Sequence, residues 1–200
     1  MDASPHIVDS IFILRIIYDR KTVPMEIDQG LLEIDLANAV LSAFAAFETE
    51  HGNEEIYAAC LSVTEDGMGI GLNINTEPYF TKRCAEENIE SEMTPQEIRY
   101  FRWSPAEWCF EDIGDDLFQP VNSMLLQSSL QGFNAIELNT MTDIMARALR
   151  RLRDIYADRL QNVTLFVTVT DYDEAEEIEN CSAILINPPG LAQAFVSRFG

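Results

Sequence analysis

Two hundred residues, 47% apolar and 24% charged, are enough chain to bury a substantial core, and this is not the composition of a disordered chain. Thirty-four Asp and Glu against thirteen Lys and Arg leave a formal net charge of -21. A field of that sign repels phosphate, which argues against nucleic acid and membrane surfaces as partners and favours encounter with a basic protein.

At the N-terminus, Ser4-Pro5 reads as a helix start, with Ile7, Ile11, Leu14 and Tyr18 at helical spacing. The isoleucines suit a strand equally well. Asp9 and Arg15 interrupt this run, and the acidic start Met1-Asp2 lacks the basic region and small-residue cleavage site of a signal peptide. A cytoplasmic protein without a membrane segment is expected.

From Asp28 to Glu50 the spacing of Leu32, Leu36, Val40, Phe44 and Phe47 predicts an amphipathic helix, ended by His51-Gly52-Asn53. Two β-rich runs, 56–64 and 68–74, then flank Glu65-Asp66-Gly67, the signature of a hairpin. Glycines 67, 69 and 71 alternate, but neither a GxxxxGK[ST] nor a GxGxxG pattern accompanies them. They fit a strand face that another element approaches closely. Polar helical segments follow, with Thr94-Pro95 opening one that includes Glu97. "RYFRW" (99–103) reads as a further strand, and Ser104-Pro105-Ala106-Glu107 as a capping box starting a helix. Asp115-Asp116 breaks the chain before a helix containing Pro120, and a longer helix spans 139–160. "NVTLFVTVT" is the strongest strand pattern, and an acidic helix and a last short one close the chain. These elements predict one α+β domain over residues 1–200. Its small, mainly antiparallel sheet of about four strands (56–64, 68–74, 98–103, 163–171) would be covered by several helices.

Chemistry is sparse. Cys60, Cys84, Cys109 and Cys181 lie far apart without a CxxC, and His6 and His51 are the only histidines. That is neither a zinc site nor a disulfide framework, and no Ser-His or Cys-His pair is suggested. No metal and no cofactor is expected. Arg102, Trp103, Glu107 and Trp108 could form a binding lip, or be core aromatics beside a cap. Asp115 and Asp116 could pair as acid and base, although turns gather acids anyway. Asp171 and Asp173, just past a strand, could hold a divalent cation or cap the next helix. Arg147, Arg150, Arg151, Arg153 and Arg159 share a helix with several acids and are expected to pair with the acidic surface.

The stretches "AFAAFETEHGNEEIYAACLSVTEDG", "NTEPYF", "RYFRWSPAEW", "LFQPVNSML", "VTLFVTVTDYD" and "LINPP" occur in an order that resembles a bacterial family known as domain of unknown function 4303. The resemblance runs from about residue 36 to the C-terminus, with "RWSPAEW" its most specific part and Asn187-Pro188 and Asp171 weaker ones. The first 30 residues lie outside it as a variable addition. The family carries no established catalytic residues, and its members are similar in size to immunity proteins that neutralise toxins of neighbouring bacteria. The resemblance therefore implies a non-enzymatic protein that occludes a toxin by direct contact. The charge suits a basic, nuclease-like toxin. A metal-dependent enzyme using Asp171 and Asp173, and a homo-oligomeric regulator joined through residues 7–18, are the alternatives.

Overall fold

A computed structural model describes residues 27–88, 92–130 and 136–200. The apolar run 7–18 lies outside these residues. Helix α1 (Gln29–His51) starts where the Asp28 carboxylate accepts the backbone N–H groups of Gly30 and Leu31, at 2.9 and 3.1 Å. That satisfies two of the donors a helix start leaves open. Its predicted stripe, from Leu32 to Phe47, is buried. By length and composition α1 could cross a membrane; here its apolar face covers a sheet. Gly52 ends it in right-handed conformation (φ -62°), not in the left-handed one that glycine often supplies at this position.

The sheet has strand order β2-β1-β3. Strands β1 (Ile56–Thr64) and β2 (Ile70–Thr76) form the expected antiparallel hairpin, with Gly67 at φ 73° in its turn. Strand β3 (Thr164–Thr170) lies parallel to β1. The expectation of about four, mainly antiparallel strands is thus corrected to a mixed sheet of three among the described residues. The supposed strand 98–103 is the second half of helix α3 (Pro95–Trp103). Thr94 and Glu97 cap that helix reciprocally and Pro95 occupies its first turn. The helix is therefore nucleated before the aromatic run begins, and no neighbouring strand competes for it.

Three more helices lie along the crossover from β2 to β3: α2 (Glu77–Glu87), α4 (Asp115–Leu130) and α5 (Leu138–Ile155). Helices α6 (Ala175–Ile186) and α7 (Pro189–Val196) follow β3. Asp115 and Asp116 belong to the first turn of α4 and do not precede it, and Pro120 sits inside that helix.

Alternation along the strands separates two faces. Ala59, Leu61, Val63, Ile70, Leu72, Ile74, Leu165, Val167 and Val169 meet α1, α4 and α5 in the larger core. The other face carries Cys60, Phe166 and the polar Ser62, Asn73, Asn75 and Thr168. A register shift between Ile56 and Ala58 adds one residue, and Tyr57 and Ala58 both join this second cluster.

At each sheet edge one asparagine acts as a single residue of strand. At the β2 edge, Asn122 of α4 accepts the Ile70 N–H (3.0 Å) and donates to the Ile70 carbonyl (3.1 Å). At the β3 edge, Asn187 accepts the Leu165 N–H (2.8 Å) and donates to the Leu165 carbonyl (2.7 Å). Edge groups left open would invite pairing with another chain.

Candidate functional site

The "RWSPAEW" stretch crosses the second face of the sheet. Ser104 ends α3 in an extended conformation, as a residue before proline must, and Pro105–Glu107 form a single 3-10 turn. The expected capping box is absent: Ser104 accepts no helix N–H, and Glu107 instead pairs with Arg83 at 3.6 Å. Behind the turn, Trp108 is buried and its indole N–H donates to the Arg102 carbonyl (3.2 Å). Tyr57 donates its hydroxyl to the same carbonyl (2.6 Å) and accepts from Asn75 (2.9 Å). Burial raises the Tyr57 phenol far above its ordinary value, with Arg102 opposing, so it stays a donor.

Arg102 does not reach out for a ligand. Its guanidinium forks onto Glu77 at 2.5 and 3.0 Å and lies 4.1 Å over Tyr57, 4.9 Å over Phe80 and 5.5 Å over Trp103. Burial works against this charge, but the Glu77 carboxylate outweighs it and holds the guanidinium firmly protonated. Arg102, Trp103 and Trp108 are therefore brought together as a brace around Tyr57, while Glu107 faces Arg83. Trp103 also lines an opening.

That opening has two lobes on either side of Pro105-Ala106, at the carboxyl ends of β1 and β3, where parallel strands commonly present sites. The first, ≈ 460 Å³, is lined by Ser62, Asn73, Glu111, Asp112, Asp115 and Asn122 among others. The second, ≈ 320 Å³, is lined by Tyr100, Trp103, Thr168, Asp171, Glu179 and Phe199 among others. No lysine or arginine lines either lobe.

Asp112 reaches the first lobe through a left-handed backbone (φ 48°), its N–H donating to Asn73 Oδ1 at 3.0 Å. Its carboxylate occupies the space a side chain at Gly71 would need. Of the alternating glycines, Gly71 thus marks a close approach as the spacing suggested, whereas Gly67 and Gly69 precede the strand and have no such close neighbour. In the second lobe, Thr168 and Arg198 both donate to Glu179, each at 2.6 Å. Burial pushes the Glu179 carboxyl up and the Arg198 guanidinium down, so desolvation disfavours both charges of this pair.

The remaining candidates divide. Asp115 lines the first lobe and Asp171, also left-handed (φ 58°), lines the second. Asp116 and Asp173 are exposed and line neither. Neither Asp171 nor Asp173 caps α6; Glu174 stands at that position without a side-chain bond. Among the described residues, no three His, Cys, Asp or Glu side chains gather in a group able to hold a metal ion. Burial raises the Cys60 thiol well above its ordinary value, which leaves it inert. Asn73, Asp112 and Glu179 went unnoticed in the sequence; the Gly71 spacing was the only hint toward Asp112.

The cations are largely spent inside the chain. Arg147 pairs with Glu33 (2.7 Å), Arg159 with Glu48 (2.8 Å) and Arg150 with Asp154 (3.8 Å). Buried Arg153 donates to the Leu160 and Val163 carbonyls and to Asn187.

A family model described as Domain of unknown function (DUF4303) matches residues 36–188. No curated protein and no solved structure matches the chain. The matched span includes every residue named above for the two lobes except Arg198 and Phe199.

Proposed function

The chain belongs to the DUF4303 family, and from that premise we propose that it is a non-enzymatic binding protein of the immunity type. In this reading it acts in the bacterial cytoplasm and occludes a basic, nuclease-like toxin by docking it over the two-lobed groove. One observation carries the reading: Glu111, Asp112, Asp115, Asp171 and Glu179 border an opening that no lysine or arginine lines. With Arg83, Arg102, Arg147, Arg150, Arg159 and Arg198 already facing carboxylates of the chain itself, the charge left over is anionic. Such a surface speeds encounter with a cationic protein and fixes its orientation.

The test is recovery of a stoichiometric basic partner from the native host and protection of cells that express it. Binding should weaken steeply with added salt, and E111K with D171K should abolish protection while leaving the fold intact. A chain that protects against no co-encoded toxin and recovers no partner would overturn the proposal.

A further inference from the structure

We propose that the lobe between α3 and the end of β3 reads one arginine side chain of the docked partner. The inference rests on the reading above and names the chemistry of one contact within it. Three aromatic rings, Tyr100, Trp103 and Phe199, share this opening with the carboxylates of Asp171 and Glu179. Tyr100 and Phe199 keep 49% and 45% of their surface exposed, so both rings are open to a ligand. Aromatic walls beside carboxylates recognise a cation through the negative ring faces and a direct ion pair.

The chain already shows which cation suits these rings. Arg102 lies 5.5 Å from the Trp103 ring centre and Arg198 lies 4.7 Å from that of Phe199. Both are matched, by Glu77 and Glu179, so the lobe's own charge is set by Asp171, which forms no ion pair among the described residues. An arginine fits better than a lysine because its planar, weakly hydrated guanidinium stacks on rings and gives up less hydration. A phosphate or carboxylate ligand would find no cation in the lining. A purely apolar occupant would leave Asp171 desolvated and unmatched.

The intact chain can be titrated with acetyl-arginine amide, acetyl-lysine amide and the neutral isostere acetyl-citrulline amide, reading the two indole N–H signals by NMR. Trp103→Phe assigns them, and Trp108, buried behind the turn, serves as the internal reference. Acetyl-arginine amide should shift the Trp103 signal saturably, the lysine analogue more weakly and the citrulline analogue not at all. Asp171→Asn should weaken the arginine effect about fivefold, as loss of one partly exposed ion pair predicts, while Asp143→Asn, on α5, should not. Equal responses to arginine and citrulline, an unchanged response in Asp171→Asn, or no saturable shift would each overturn the inference. Because this titration needs no protein partner, its failure leaves the docking proposal standing, and failure to find a toxin leaves the titration result standing.

Discussion

The two faces of the three-stranded sheet are made from the same strands and obey different chemistry. The face toward α1, α4 and α5 is aliphatic throughout, so its side chains are held by area and fit alone. The opposite face mixes rings with hydrogen-bonded polar groups: Tyr57 with Asn75, Asn73 with Ser62, Glu179 with Thr168. A packed aliphatic face has nothing to offer a ligand. The second face has polar groups that need fixed partners, and its rim is where the groove opens. Stability is thus concentrated on one side, and the proposed recognition lies on the other.

Five substitutions sharpen that division, from the largest effect to the smallest. Phe44→Ala, at a fully buried ring of the aliphatic side, should cost about 3–5 kcal/mol. Chemical denaturation would measure it, and the arginine response of the still-folded fraction should be unchanged. Tyr57→Phe removes one hydroxyl from the polar side while keeping the ring. It strips an acceptor from Asn75 and one of two donors from the Arg102 carbonyl, for a loss of about 1–3 kcal/mol. If Tyr57→Phe proved neutral, the second face would be held by packing like the first.

Thr94→Ala should cost about 1 kcal/mol by opening the α3 capping box, and its effect should depend on pH. The Thr94 N–H and hydroxyl hold the Glu97 carboxyl below its ordinary value of 4.5, so its contribution is present above that pH and is lost as pH falls through the lowered value. Glu179 runs the opposite way. Burial raises its carboxyl above 4.5, so between 4.5 and the raised value the folded form retains a proton that the unfolded chain has released. Stability from this group is full below pH 4.5 and declines as pH rises through the raised value. Glu179→Gln should flatten that decline in a series of thermal melts, and Thr94→Ala should flatten the acid loss in part, since the backbone N–H at position 94 still holds Glu97. The smallest effect is a gain: Asp171→Gly relieves a left-handed backbone and should raise stability by about 1 kcal/mol or less, while weakening the arginine response about as much as Asp171→Asn does.

The sequence alone determined the elements whose cause is local. Periodicity located α1 and α5, Asp-Gly between β-rich runs located the hairpin, and β-branched density located β3, because each signal arises within one segment of chain. It misjudged 98–103, where aromatic content suggested a strand; a cap four residues earlier decided for helix. It misjudged Ser104 to Glu107 for the same kind of reason, since a capping pattern acts only if a helix follows. Of the five helix arginines expected to pair with acids, Arg147, Arg150 and Arg159 do, whereas Arg153 donates to carbonyls and Asn187, and Arg151 forms no ion pair among the described residues. Only the tertiary structure decided that β3 lies parallel to β1, that Arg102 is consumed by Glu77, and that Asp112 borders one lobe while Asp171 and Glu179 border the adjoining one. Those are relations between residues up to a hundred positions apart, and they follow from how the two unlike faces of one sheet are covered rather than from any pattern along the chain.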